Sequence, residues 1–231
     1  MEDKYLSVIT NFGCHYKCPE CIVRNNKLHI PESTVGGLAN LGEEIEKNNV
    51  NWVSFSGGGD PLFIPKNEEK KWNKYWGWVF SVCKFNEVKT ELHTSYKSYT
   101  DFLTNRIDYT RRYFLSNFDR IVYHCHDPLD LLDIKRYGSN QIVRVVFVVD
   151  YTFDERDINL IVSMVKKLEN IDELSFRQYV DANYRTHYIM HEYLKAGHKK
   201  DWYYIEQNDY NLYYCEDKVY KKYRDIGKGD E

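Results

Sequence analysis

Three cysteines stand close together near the start of the chain, Cys14, Cys18 and Cys21, with the spacing C-x3-C-x2-C. Thiolates so near in sequence can converge on one metal centre. A closed structural zinc site takes four ligands. A four-iron, four-sulfur (4Fe-4S) cluster has four irons, each taking one external ligand. Three cysteines on such a cluster leave one iron open for a substrate or cofactor. The residue types also permit zinc with a fourth ligand from His15, His29 or Cys125, which would make the chain a non-enzymatic zinc-binding module. A second signal lies further on, in Ser56-Gly57-Gly58-Gly59-Asp60-Pro61. Glycines there let the backbone approach a ligand without a Cβ in the way, and Pro61 holds Asp60 extended. A plain strand-to-helix turn is the simpler reading of the glycines taken alone.

These motifs resemble those of the radical S-adenosylmethionine (SAM) superfamily. That family carries C-x3-C-x2-C in the loop after its first strand. A Gly-Gly-Glu-Pro-like motif follows its second, as Gly58-Gly59-Asp60-Pro61 does here. A Thr-Asn-Gly-like turn often ends its third strand, where this chain has Thr94-Ser95. The chain departs from the pattern at Glu20, where an aromatic residue is common, at Asp60 in place of Glu, and at Tyr96 in place of Gly. The resemblance implies a 4Fe-4S cluster on Cys14, Cys18 and Cys21, with SAM on the open iron through its amine and carboxylate. It further implies reductive cleavage of SAM to a 5′-deoxyadenosyl radical that abstracts a substrate hydrogen. A flavodoxin- or ferredoxin-type protein would donate the electron. The substrate is a small molecule, a nucleotide-like compound or a peptide. Alternatively, as in a glycyl-radical enzyme activase, it is the backbone of a large partner protein. Cys83, Cys125 and Cys215 are too scattered to hold a second cluster.

The glycine turn, Gly57 to Asp60, is expected to cradle SAM, with backbone carbonyls facing its ammonium. Because the cysteines occupy a different loop, Gly59→Val is expected to spare the cluster while abolishing SAM binding, and Asp60→Ala to be milder. Other polar residues at strand ends are candidates for SAM or substrate: His93, Thr94, Ser95, His124, His126, Arg144, Asp150, Arg177 and Gln178. Of these Thr94, Ser95, His124, His126, Arg144 and Arg177 are assigned to the cofactor. Catalytic groups of αβ barrels gather at the C-terminal ends of strands.

The elements that must position these residues alternate. Strand-like runs at 5–10, 52–55, 87–93, 120–126, 142–149 and 174–180 are separated by helical patterns. Trp72, Tyr75, Trp76, Val79, Phe80 and Cys83 form one helical face, which makes Cys83 a core residue. Ser98 and Asp101 predict a capping box opening a helix through Ile107. Asp127 and Pro128 predict the start of a helix running to Tyr137, and Val35 to Lys47 predicts another. At ~30 residues per βα unit, six units need ~180 residues; eight would need ~250. The prediction is an α/β fold, a partial (βα)6 TIM-like barrel over residues 1–180. A C-terminal extension, 181–231, packs on it and contains a β-hairpin formed by 202–205 and 211–214 around Gln207-Asn208-Asp209.

Composition agrees with an ordinary soluble globular protein. Hydrophobic residues make up 42% and charged residues 29%, enough apolar side chains for a core. The net charge of −3 leaves no electrostatic footprint for nucleic acid. No apolar run reaches the ~18 residues that span a membrane, and no signal sequence opens the chain. The expected compartment is the cytoplasm, where clustered cysteines stay reduced and read as ligands. Oligomeric state leaves no mark in the sequence.

Overall fold

The computed structural model describes residues 3–14, 18, 21–104, 109–206 and 211–228. Six strands run parallel and in chain order: β1 (Tyr5–Thr10), β2 (Trp52–Gly57), β3 (Lys89–Ser95), β4 (Arg120–Cys125), β5 (Ile142–Val149) and β6 (Glu173–Val180). Between them lie α1 (Ile22–Asn25), α2 (Leu41–Lys47), α3 (Glu69–Phe85), α4 (Tyr96–Thr104), α5 (Tyr109–Ser116) and α6 (Glu155–Val165). The architecture is thus α/β with a mostly parallel sheet. Beyond β6 come β7 (Thr186–His187), α7 (His191–Gly197), β8 (Tyr203–Ile205), β9 (Leu212–Cys215) and β10 (Lys218–Tyr220).

Strand alternation separates two faces. Leu6, Val8, Val53, Phe55, Leu92, Ile121, Tyr123, Val145, Phe147 and Phe176 point to the helices and form the main core with Trp72, Trp76 and Val79 of α3. The other face carries most of the polar residues, Tyr5, Ser7, Ser54, Glu91, His93, Arg120, His124, Arg144, Glu173 and Arg177, together with Trp52, Val122 and Val146.

The chain after β6 contributes to both edges of this sheet. β8 pairs in parallel with β6, and β9 in parallel with β1. Ile205 and Leu212 lie seven residues apart in the chain, a reach of at most about 25 Å. In strand order β8 stands seven positions from β9, roughly 34 Å in a flat sheet. The sheet is therefore curved. Its polar face is the concave one, because Arg120 of β4 reaches both the Tyr5 hydroxyl of β1 at 3.0 Å and Glu173 of β6 at 3.4 Å. Among the described residues β8 and β9 do not pair, so the sheet is not closed.

Four local expectations are corrected. The predicted hairpin of 202–205 with 211–214 does not form, since those strands join opposite edges; its turn at 207–209 lies outside the described residues. The hairpin is instead β9–β10, turning through Glu216 (φ 48) and Asp217 (φ 64), the paired positive φ values of a two-residue hairpin loop. Asp217 secures that turn by accepting from the Asn40 backbone N–H and the Tyr214 hydroxyl, each at 2.7 Å. The helix expected from Pro128 to Tyr137 is only a 3-10 turn, Pro128–Leu132, although Asp127 and Asp130 do form a capping box. Further on, the Lys135 carbonyl accepts from Tyr123 and the Tyr137 N–H donates to Gln141, so tertiary partners replace helical ones. The helix expected over 35–47 is split into a 3-10 turn, Gly36–Leu38, and α2, as the entropy cost of Gly36 and Gly37 favours. α4 begins at Tyr96, with Ser95 rather than Ser98 at its head. The Ser95 hydroxyl accepts from the Ser98 N–H at 3.0 Å, and Asp101 lies inside the helix.

Candidate active site

β1 and β2 are parallel neighbours, with Thr10 opposite Gly57, so the loops that leave them emerge side by side. The glycine turn docks directly on the base of the cysteine loop. Gly58 and Gly59 donate their N–H groups to the Thr10 carbonyl at 2.9 and 3.2 Å, and Asp60 donates to the Gly13 carbonyl at 3.1 Å. No side chain fits here. A Cβ on Gly57 would stand 1.9 Å from the Gly59 oxygen, and one on Gly59 would stand 2.2 Å from the Gly13 oxygen. Gly13 itself has φ +100 and packs on Phe63.

Asp60 is buried and ties this pair of loops to the third. Its carboxylate accepts from the Leu62 N–H at 3.0 Å, the Thr94 hydroxyl at 2.8 Å and the Ser95 N–H at 2.8 Å. Burial raises its pKa, against the lowering effect of those donors. The sequence placed Asp60, Thr94 and Ser95 on the cofactor; the structure brings them together, but bonded to one another. Gly57, Gly58 and Gly59 stand at the same place, and the Gly57 carbonyl accepts from the Tyr223 hydroxyl at 2.8 Å.

The cysteines divide by environment. Cys14 is exposed, and Cys18 and Cys21 are half-buried, while Cys83, Cys125 and Cys215 are buried; none forms a disulfide. Burial pushes the Cys83 thiol up to about 12 and Cys215 to about 11, and Cys125 well above the usual range, so these three stay protonated. Cys21 begins α1, its sulfur accepting from the Arg24 N–H at 3.5 Å, and its own N–H donates to the Cys18 carbonyl at 3.1 Å. Among the described residues no three His, Cys, Asp or Glu side chains are gathered around one point. The donor set nevertheless fits a thiolate-held group: the three solvent-reachable thiols share one loop at the C-terminal end of β1. Cys125 cannot join them, for it points into the helix-facing core of β4. His29 is exposed, and His15 lies outside the described residues.

The concave face carries a connected polar network. His93 Nε2 is 2.7 Å from Glu91 Oε1, and His93 Nδ1 is 3.2 Å from His124 Nε2. Arg120 donates to Glu91 at 2.8 Å, and Arg144 to Glu173 at 2.6 Å. Burial opposes the charge of Glu91, yet His93 and Arg120 outweigh it and lower the pKa to about 2. Burial pushes His124 well below the usual imidazole range, helped by the charges of His93, Arg177 and His126. His124 and Arg177 thus lie on the same face of the sheet, on β4 and β6, Arg144 belongs to the ion pair with Glu173, and His126 is exposed beyond β4. Two further candidates have structural roles. Gln178 bonds both backbone groups of Ile189 and the Tyr204 hydroxyl, and Asp150 closes a turn on Thr152.

Glu91, Arg120 and Glu173 escaped the sequence reading, which looked only at the C-terminal ends of strands. The signal was present: each shares the strand parity of a named residue, Glu91 with His93, Arg120 with His124 and Glu173 with Arg177.

No protein-family profile and no curated protein matches the chain. Among solved structures, SuiB of Streptococcus suis bound to the precursor peptide SuiA matches at a TM-score of 0.64 and 12% identity, over 99% of this chain and 61% of that one. SuiB bound to S-adenosylmethionine matches at 0.60 and 12%, over 99% and 60%. The likeness is one of fold. The chain spans about three-fifths of the length of SuiB.

Proposed function

We propose that this chain is a radical SAM enzyme, built as a partial barrel, that holds a 4Fe-4S cluster on Cys14, Cys18 and Cys21 and binds SAM beside it. The observation that carries the reading is the docking of the Gly57–Gly59 turn on Thr10 and Gly13. It joins the two motifs of the resemblance into one structure at the C-terminal ends of β1 and β2. A neighbour of the same fold is known in complex with SAM, which supports the cofactor.

A cluster held by Cys14, Cys18 and Cys21 would supply one electron for reductive cleavage of the sulfonium C–S bond of SAM, and the cofactor would thereby supply hydrogen abstraction from substrate. The chain's own residues do the rest. Thiolates of Cys14, Cys18 and Cys21 would hold the cluster. The glycine turn lets backbone lie against the methionyl end of SAM. Asp60 fastens that turn to the end of β3. His124, kept neutral by burial, and Arg177 face the concave space where a substrate lies against the sheet.

A peptide is our reading of the substrate, since SuiB is known with a precursor peptide. Activation of a glycyl-radical enzyme has no observation of its own in the structure. A flavodoxin- or ferredoxin-type donor would deliver the electron. No helix among the described residues is long and apolar enough to cross a membrane. The direct test is reconstitution with iron and sulfide under anaerobic conditions. Wild type is expected to take up about four irons and four sulfides per chain, and Cys14→Ala, Cys18→Ala or Cys21→Ala to lose them. Stoichiometric zinc in their place would overturn the reading.

A further inference from the structure

Residues 218–228 fold back over the ends of β1 and β2. After β10 comes a 3-10 turn, Tyr223–Asp225, and Ile226 is then buried in a cluster with Ile9, Ile30, Tyr213 and Cys215. Gly227 has φ +75, and a Cβ there would stand 2.0 Å from the His29 carbonyl oxygen. This strap therefore lies tight against the segment that follows the cysteines. Tyr223 packs edge-on against Tyr213, with ring centroids 5.5 Å apart at 82°. Its hydroxyl donates to the Gly57 carbonyl across 166 residues of sequence. One side chain from the strap thus reaches the glycine turn.

We propose that this strap is a wall of the SAM site and that Tyr223 is a binding residue for the methionyl ammonium of SAM; the proposal rests on the SAM reading above. An ammonium brings three donors and needs oxygen acceptors. A carbonyl has two lone pairs, and a phenol that donates its proton still has lone pairs of its own. The bond from Tyr223 fixes the direction of the Gly57 carbonyl and sets a second acceptor oxygen beside it. The two oxygens together suit a compact cation, at the motif where the resemblance puts the methionyl end of the cofactor. The long sequence separation explains why neither motif pointed to this residue.

Tyr223→Phe keeps the ring on Tyr213 and removes only the hydroxyl. Binding to the cluster-loaded protein, without reductant, is measured by equilibrium dialysis for SAM and for 5′-methylthioadenosine, which has the nucleoside and sulfur but no ammonium. Affinity for SAM is expected to fall about tenfold or more, with affinity for 5′-methylthioadenosine and iron content unchanged. Unchanged SAM affinity would overturn the proposal, and so would a parallel loss of both ligands, which would make the strap mere scaffold. Wild-type protein that loads its cluster yet binds no SAM would instead remove the SAM reading on which the proposal stands.

Discussion

Gly59 lies against the backbone of Gly13 so closely that a Cβ at Gly59 would stand 2.2 Å from the Gly13 carbonyl oxygen. The next residue along from Gly13 is Cys14. The glycine turn and the cysteine loop are thus one packed unit, and the expectation that Gly59→Val would spare the cluster does not survive. Backbone cannot yield as a flexible side chain would. Gly59→Val is expected to lower iron uptake and SAM binding together, as read by iron analysis and dialysis on the same preparation. A full complement of iron with SAM binding alone abolished would show that the loops act independently.

Asp60→Ala is likewise not mild. It leaves the Leu62 N–H, the Thr94 hydroxyl and the Ser95 N–H without their carboxylate. A buried donor left unpaired costs about 1–3 kcal/mol, and the three losses share one site, so the expected destabilisation is about 3 kcal/mol in urea unfolding of the metal-free protein. Asp60→Asn keeps one acceptor oxygen but turns an amide donor toward another donor, and should fall between wild type and Asp60→Ala. A loss below about 0.5 kcal/mol in Asp60→Ala would mean that Asp60 does not fasten these loops.

Glu91 gives a pH signature. Its folded pKa is about 2 against an ordinary 4.5, so its contribution is fully present above pH ~4.5 and is lost as pH falls toward 2. Glu91→Gln is expected to cost about 3 kcal/mol at neutral pH. The gap from wild type should stay constant from about pH 8 to 5 and close only below ~4.5. Unfolding free energies across that range check it. A gap that closes already above pH ~5 would contradict the assignment of this effect to Glu91.

The buried thiols make a control. Cys83→Ala and Cys215→Ala should leave iron content unchanged, because burial holds both thiols protonated. Each should lower stability by about 1 kcal/mol through lost packing. Loss of cluster in either variant would place a ligand wrongly.

The parallel βα order was legible because strand and helix periodicities differ and repeat, as in the Trp72–Cys83 face and the run IVRVVFVV of β5. The loops were legible only by type. Asp60, Thr94 and Ser95 were recognised as belonging to one place, but nothing in sequence says that a carboxylate bonds its own neighbours rather than a ligand. The turn at Glu216-Asp217 lacks the Asn-Gly or Asp-Gly pair that marks such hairpins, so the hairpin was sought one strand too early. Glu91 and Arg120 are missed because they lie away from the C-terminal strand ends, and their burial depends on the curvature that lets Arg120 reach Tyr5 and Glu173. Tyr223 was invisible, because its partner Gly57 is distant in sequence and is reached only through tertiary folding.

The central claim is that the loops after β1 and β2 form a site where SAM is cleaved reductively. It is tested most directly by incubating anaerobically reconstituted protein with SAM and dithionite and measuring 5′-deoxyadenosine by liquid chromatography and mass spectrometry. The expected result is 5′-deoxyadenosine from wild type, and none from a protein with Cys14, Cys18 and Cys21 all changed to Ala. A wild-type protein that carries its cluster and forms no 5′-deoxyadenosine, or a triple variant that forms it at the wild-type rate, would contradict the account.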